Sequence, residues 1–354
     1  MRVLVVTESC FPAGGPTTKA VLDRLVDTGH EVRLVAPAPG LADYRGCTVV
    51  RISPLAKPGA QVRAAVDAAR PDVLLALDPG TGPGSLGRKA LKHARATGVP
   101  TTVVQASAVP EVLGDYWRTT VAERADLLLA TSRHLAGRLS ALGPEAEVWA
   151  PGVDTLAFTP ALRDEWLHRH WSRASSRPQP LVVVGYVGAL RKRHGVRRLA
   201  AVSRIPGVRL VAIGDGAQRA WLAQHARDAK LTGALGTGDL AVAMATLDVL
   251  VHPDEQQTGT RALREAAASG VPVVAPRAGA AAEVVRHLET GLLHSPGNER
   301  DLVRAVGALV ADRHRALLGG RGRQLAEERP WTLAVDELIE RLEQQVRVPS
   351  LTSR

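Results

Sequence analysis

The amino-acid sequence predicts an α/β protein with two doubly wound, parallel-sheet domains of the Rossmann-like kind. Short apolar segments alternate with helical patterns through the first half of the chain, and the alternation begins again near residue 180. Such segments are typical of parallel strands that helices cover on both faces. The length of 354 residues supports two domains, because one hydrophobic core rarely serves so long a chain.

Seven apolar segments of the first half are predicted to be strands. They are 2–7, 31–37, 48–53, 72–78, 101–106, 127–131 and 147–151. Helical patterns lie between most of them, at 17–29, 59–69, 85–97 and 133–142. This alternation predicts that the strands lie side by side in one sheet, with helices on its two faces.

Five further segments predict the strands of a second sheet. They are 180–190, 208–216, 247–253, 271–276 and 290–295. A segment rich in Arg, Trp, His, Ser and Pro, 159–180, separates the halves, and 331–346 has the pattern of an amphipathic helix. We therefore expect domains at 1–160 and 161–330, followed by this helix and a loose tail at 331–354. Ligands of such sheets bind at the carboxyl ends of the strands, which predicts a site in a cleft between facing domains.

Composition and charge exclude several classes of function. The net charge of +10 favours anionic partners, but aromatic residues make up only 3%, so nucleic-acid binding by base stacking is not expected. Cys10 and Cys47 lack the spacing of a metal site, and no apolar run is long enough to span a membrane. We interpret 2–7 as a first strand rather than a signal peptide, and expect a cytoplasmic protein with no bound metal.

The stretch "GPGSLG" at 82–87 matches the glycine pattern of dinucleotide-binding loops. It follows roughly the fourth strand rather than the first, and Pro83 lies in the turn. A dinucleotide-binding site would require an acidic residue for the ribose at the end of the next strand, where this chain has Gln105 and Ser107. We interpret the stretch as a tight turn before a helix, and a dinucleotide-dependent enzyme is the minor alternative.

Three loops after predicted strands have the residues of a phosphate site. The first contains Gly14 and Gly15, whose bare backbone allows close approach of a ligand. The second carries four potential cations: Arg191, Lys192, Arg193 and His194. The third, 254–260, precedes a helix that carries Glu265. Each also has a simpler interpretation: an ordinary turn, a solvated basic loop and a solvated helix face.

Longer stretches around these loops resemble a known enzyme family. They are "VTESCFPAGGPTT", "ADLLLATS", "PGVDTLAFTP", "GYVGAL", "PGVRLVAIGDG", "HPDEQQTGTRALREAAASGVPVVAP" and "TGLL". The chain looks like the retaining glycosyltransferases of the GT-B fold, a large family of bacterial sugar-nucleotide transferases. The resemblance covers nearly the whole chain and is more specific in the second half. Within the family, the chain looks most like the actinobacterial α-mannosyltransferases that use GDP-mannose.

The resemblance implies roles for the matched positions. Glu265 would hold the ribose hydroxyls of the nucleotide, and Gln105 would face the donor sugar. Gln257 stands where the family has a first glutamate, and Glu255 is the acid nearest to it. The remaining positions would bind the diphosphate and sugar: Gly14, Gly15, Gly188, Arg191, Lys192, His194, Thr258, Gly259 and Thr260. The helix at 331–346 would cross back onto the first domain.

Several family positions are altered in this chain. Ala189 stands in place of an arginine, His194 in place of a lysine, and Gln257 in place of a glutamate. Gly259 replaces the usual apolar residue of its loop, and Ser107 replaces a common carboxylate. Loss of two cations weakens stabilisation of a departing diphosphate, whereas Glu265 preserves ribose recognition.

Two functions remain open at this point. The first is transfer of a hexose, with mannose favoured, from a nucleotide-diphosphate sugar to a hydroxyl of a lipid or small molecule. The resemblance favours GDP-mannose as donor, leaves a UDP-sugar open, and implies no other cofactor. The second is a catalytically impaired relative that binds nucleotide or a protein partner. The basic charge and the segment "WLHRHWSR" at 166–173 also predict a peripheral contact with an anionic membrane at its inner face.

Overall fold

The computed structural model describes residues 1–12, 15–53, 55, 57–82, 84–173, 180–256 and 259–347. The chain divides into two compact units. The first contains Met1–Pro151 together with the C-terminal residues from Trp331, and the second is Gly152–Pro330. The first unit thus ends at Pro151, whereas the sequence led us to expect a boundary near residue 160.

The first unit has an eight-stranded sheet. Its strands are β1 Arg2–Thr7, β2 Glu31–Pro37, β3 Asp43–Tyr44, β4 Cys47–Ile52, β5 Val73–Leu77, β6 Thr101–Gln105, β7 Leu127–Ala130 and β8 Glu147–Val148. Their order is β3-β4-β2-β1-β5-β6-β7-β8, and every pair is parallel except β3 with β4. The helices are α1 Pro16–Asp27, α2 Pro58–Ala69, α3 Leu86–Thr97, α4 Gly114–Thr120 and α5 Arg133–Ser140.

Helices cover this sheet on both faces, because successive strand residues point to opposite sides. In β1, Val3 and Val5 belong to one buried apolar cluster, whereas Leu4 and Val6 belong to another. Both faces of the central strands are therefore dry, which explains why the strands appear in the sequence as continuous apolar runs rather than as an alternating pattern.

The second unit has a six-stranded sheet. Its strands are β9 Val182–Val187, β10 Val208–Ile213, β11 Lys230–Gly233, β12 Val249–Val251, β13 Val273–Pro276 and β14 Gly291–His294. All pairs are parallel and the order is β11-β10-β9-β12-β13-β14, which is the Rossmann order 3-2-1-4-5-6. The helices are α6 Glu165–Ser172, α7 Leu199–Val202, α8 Arg219–His225, α9 Thr237–Ala245, α10 Arg261–Ala268, α11 Ala281–Val284, α12 Glu299–Ala311 and α13 Arg315–Glu327.

The last helix, α14 Trp331–Arg347, packs in the first unit. Its buried face, which includes Leu338, joins the apolar cluster on one side of the β1–β8 sheet. The Trp149 indole Nε1 donates a hydrogen bond to the Ala334 carbonyl at 2.7 Å. Arg24 of α1 and Asp336 form a two-pronged ion pair, with nitrogen–oxygen distances of 2.6 and 2.7 Å.

Candidate functional site

The strand order of the second unit reverses between β9 and β12, and loops from these two strands meet there. Ligands of open α/β sheets bind in the crevice at such a point. His194, in the turn after β9, places its Nδ1 2.6 Å from Oδ2 of Asp254, which follows β12. Gly195 lies so close to Pro253 that an added Cβ would be 2.5 Å from the Pro253 oxygen.

Two glycines allow the turn after β9 to approach the neighbouring loop. Gly188 has φ +151°, and Gly214, after β10, has φ +138°. A Cβ on Gly214 would lie 2.0 Å from the Gly188 oxygen, so no larger residue fits there. The Gly188 amide donates to Ile213 O at 3.0 Å, which fixes the turn at the carboxyl edge of the sheet.

Glu265 lies on α10, which begins after Gly259 and Thr260. The residue is only 6% exposed, and Oε1 lies 2.6 Å from the Nε of Arg261 one turn earlier. Burial raises the pKa of Glu265, and the Arg261 charge opposes that rise only in part. Gln257 and Thr258, which the sequence assigned to the same site, lie outside the described residues.

Glu255 has partners on two other loops. It forms an ion pair with Arg198 and accepts a hydrogen bond from the Gly297 amide at 2.6 Å. Burial raises the pKa of Glu255, but the bonds from Arg198 and the Gly297 amide outweigh it, so the pKa falls below its ordinary value. The carboxylate is thus ionised and neutralised within the loop structure.

Three of the four predicted cations, Arg191, Lys192 and Arg193, lie on the surface of the turn after β9. Arg191 and Lys192 are exposed, and within the described ranges neither has an ion pair. The predicted loop 254–260 begins with Asp254, but that residue was given no role, and Arg198 was not predicted as a member of this cluster. Asp254 stands three residues after the last residue of the buried strand β12, which is a usable signal. No feature of a single sequence predicts the pairing of Arg198 with Glu255, which lies 57 positions away.

The first unit has a cavity at the equivalent point of its own sheet, where the order reverses between β1 and β5. The cavity has a volume of about 340 Å³. Its lining residues are Thr7, Glu8, Ser9, Gly15, Pro16, Thr17, Thr18, Leu77, Asp78, Val104, Ala106 and Thr131. Gly15 is thus placed at this cavity, whereas Gly14 lies outside the described residues. Hydroxyl groups dominate the polar lining, which suits a hydroxyl-rich ligand.

Comparison with known proteins identifies the family. The family described as glycosyl transferases group 1 matches residues 182–312 of the chain. A GDP-mannose-dependent alpha-mannosyltransferase of Mycolicibacterium smegmatis is 35% identical over 371 residues, which cover 96% of this chain and 96% of that protein. The chain belongs to the group 1 glycosyltransferases. A Mycobacterium tuberculosis protein with the same description is 34% identical to this glycosyltransferase, over 96% of the chain and 95% of the relative.

Solved structures show the fold of this glycosyltransferase. Anabaena HepE in complex with UDP and glucose matches with a TM-score of 0.80 and 18% identity, covering 97% of this chain and all of that one (100%). Sucrose-phosphate synthase from Thermosynechococcus elongatus matches with a TM-score of 0.78 and 18% identity, over 97% and 99% of the two chains. The GT-B fold predicted from the sequence is confirmed.

Gln105 of the glycosyltransferase is buried, and internal partners hold its amide. Its Nε2 donates to Asp78 at 3.0 Å and to Ser107 O at 2.9 Å, and its Oε1 accepts from the Trp117 indole at 3.2 Å. Asp78 also accepts from the Ser107 hydroxyl at 2.6 Å. Gln105 therefore shapes the loop after β6, and its role toward the donor sugar stays a prediction.

The glycine-rich stretch at 82–87 leads into α3, and an internal anion occupies the start of that helix. Glu8 accepts hydrogen bonds from the Ser85 hydroxyl at 2.6 Å, the Gly87 amide at 2.9 Å and the Leu86 amide at 3.1 Å. A helix N-terminus with its amides thus filled does not offer them to a pyrophosphate. This contact explains why the glycine pattern does not make a dinucleotide site.

Two structural features are absent from the described ranges of the glycosyltransferase. No helix there is long and apolar enough to cross a membrane. No group of three or more His, Cys, Asp or Glu side chains there has an arrangement able to hold a metal ion.

Proposed function

We propose that this glycosyltransferase transfers mannose from GDP-mannose to a hydroxyl acceptor with retention of configuration. The observation that carries the proposal is the match to a GDP-mannose-dependent alpha-mannosyltransferase over 96% of both chains. An α-linked product from an α-linked donor keeps the anomeric configuration. A UDP-sugar donor is the second candidate, because structures of the same fold hold UDP.

The second unit binds the donor in this proposal. Glu265 accepts hydrogen bonds from the ribose hydroxyls, and the turn at Gly188 receives the diphosphate through its backbone. Arg191 and Lys192 are exposed cations beside that turn. They compensate for Ala189, which stands where the family has an arginine. Gln257, Thr258, Gly259 and Thr260 complete the donor site in this proposal, and Glu255 is fixed by its ion pair with Arg198.

The first unit binds the acceptor in its hydroxyl-lined cavity. The bond between the mannose C1 and the diphosphate oxygen breaks, and the acceptor oxygen bonds to C1. The acceptor proton passes to the departing diphosphate, so no protein carboxylate is required as base. Gly15 lies at this cavity, and Gln105 holds its floor through Asp78. The acceptor is a lipid or a small molecule.

Peripheral contact with an anionic membrane is a further part of the proposal, and α6 provides the surface. Trp166 is 67% exposed and stacks on His170 with a ring-centroid distance of 5.6 Å. Trp171, the other tryptophan of the segment, packs in the core of the second unit. One tryptophan of "WLHRHWSR" is thus available to a lipid surface.

Titration calorimetry with GDP and with UDP tests the donor assignment. We expect GDP to bind more tightly, and Glu265→Ala to lower its affinity by about tenfold or more, because hydrogen bonds to a charged group are lost. Glu327→Ala is the matched control, since Glu327 also pairs with an arginine four residues earlier, at 2.7 Å, on α13. Equal effects of the two substitutions would contradict the assignment of Glu265.

Mass spectrometry of GDP-mannose incubated with the protein tests turnover. We expect slow release of free mannose that stops with Glu265→Ala. GDP binding without release, in the presence of hydroxyl acceptors, would favour the alternative of a catalytically impaired relative. Failure of both nucleotides to bind would exclude the proposed function.

A further inference from the structure

We propose that Asp254 is a positioning residue that makes His194 a proton-accepting ligand of the donor diphosphate. This inference rests on the proposed function. Asp254 is 4% exposed, and its Oδ2 lies 2.6 Å from His194 Nδ1. Its other oxygen, Oδ1, accepts from the Gln256 amide at 3.0 Å. Both oxygens of the carboxylate are therefore engaged. Its position is fixed, so it sets the orientation of the imidazole.

The contact determines which ring nitrogen carries hydrogen. A carboxylate only accepts hydrogen bonds, so Nδ1 carries the hydrogen and donates it. The neutral ring then has its lone pair on Nε2, which accepts a hydrogen bond from Arg193 Nε at 3.4 Å. A phosphate oxygen also only accepts, and it can bind Nε2 only after that nitrogen gains a proton. Binding of a diphosphate is therefore coupled to proton uptake by His194.

The charged groups around His194 favour an anion at Nε2. The Arg193 Nε–H that donates to His194 Nε2 is released to donate to the phosphate once that nitrogen is protonated, and Arg198 is neutralised by Glu255. Tyr186 of β9 stays a neutral phenol, because burial and the Asp254 charge both raise its pKa. Arg193 and a protonated His194 would thus face the ligand together, at the point where the strand order reverses.

The arrangement also gives a physical reason for the altered residue. The family position held by His194 is usually a lysine, which carries its proton before the ligand arrives. A histidine alone can present a neutral Nε2–H by choosing its other tautomer. Asp254 removes that choice, so this chain binds the diphosphate with a cation formed on binding.

Calorimetric titration of GDP into the full chain, at a pH of about 8, tests the coupling in buffers of different ionisation enthalpy. We expect the wild type to take up close to one proton more than His194→Lys, whose ammonium is already charged. The lysine variant should retain GDP affinity within about threefold, whereas His194→Gln should lose about tenfold or more. Subtracting the lysine variant removes protons taken up by GDP itself.

Asp254→Ala separates positioning from a structural role. Without the carboxylate, the neutral ring can offer Nε2–H, so we expect proton uptake to fall toward that of His194→Lys. If the contact between Asp254 and His194 only joined two loops, Asp254→Ala would leave proton uptake unchanged. Equal uptake by the wild type and His194→Lys would overturn the inference even if Asp254→Ala fails to fold. GDP binding by the wild type would still support the proposed function in that case.

Discussion

At the scale of single residues, the turn after β9 depends on a glycine that belongs to another loop. Gly214 has φ +138°, and a Cβ there would meet the Gly188 oxygen at 2.0 Å. We expect Gly214→Ala to lower the free energy of unfolding by at least about 2 kcal/mol, because the backbone conformation is nearly exclusive to glycine. It should also weaken GDP binding, since the Gly188 turn must move. Urea unfolding and calorimetry measure the two effects.

The control for that substitution is Gly238→Ala in α9. No heavy atom lies within 4 Å of the Cβ that Gly238 would gain. Alanine is favoured over glycine in helices, so we expect unchanged stability or a gain of up to about 1 kcal/mol, with normal GDP binding. A loss in Gly238→Ala equal to that in Gly214→Ala would mean that close approach at Gly188 is not the cause.

Single residues also show how far the candidate site is readable in the sequence. Glu265 stands out because it lies on a helix with small residues that let it pack against the sheet, and the structure buries it. The pair of His194 with Asp254 spans 60 positions and depends on the adjacency of β9 and β12. The spacing of residues along one sequence does not reveal which strands are neighbours in a sheet. The contacts of Gln105 likewise depend on the fold of the loop after β6, so the sequence alone did not predict them.

At the scale of elements, α14 completes the core of the first unit although it lies at the far end of the chain. Leu338 is fully buried (0% exposed) in the cluster that includes β1 residues. We expect Leu338→Ala to cost about 2–5 kcal/mol of unfolding free energy, through lost burial and the cavity that remains. The control is Leu333→Ala on the same helix, where the side chain is 44% exposed and the cost should stay below about 1 kcal/mol.

Tryptophan fluorescence during urea unfolding reports on this substitution, because Trp149 and Trp331 lie in the first unit with ring centroids 6.4 Å apart. If α14 were only loosely attached, both leucine substitutions would shift the transition by the same small amount. The hydrogen bond from Trp149 to Ala334 and the Arg24–Asp336 pair are the contacts that argue against loose attachment.

The central strands were predictable, whereas only two of the four edge strands, β8 and β14, were predicted. The central strands of both sheets appear as apolar runs because helices cover both of their faces. The sequence analysis missed β3 and β11, which have two and four residues and lie at sheet edges. These two strands are short and partly solvated, so they lack the apolar run by which the others were recognised.

At the scale of the whole molecule, the net charge of +10 sets how the protein meets charged surfaces. Lysine and arginine number 45 against 35 acidic residues, and the sequence isoelectric point is about 10.4. An excess of positive charge of this size attracts anionic lipid. Added salt shortens the distance over which the attraction acts. Charge alone gives attraction without orientation. The exposed Trp166 on α6 adds an apolar group that would enter the interface and orient the protein.

Sedimentation with lipid vesicles tests this combination. We expect binding to vesicles rich in anionic lipid but not to zwitterionic ones, and loss of most binding between about 0.05 and about 0.5 M salt. Trp166→Ala should weaken binding at low salt, because an interfacial aromatic ring is removed. Leu317→Ala removes a side chain that is 72% exposed on α13 and should have no effect. Equal binding by both variants and the wild type would leave net charge as the only attraction and remove α6 from the membrane surface.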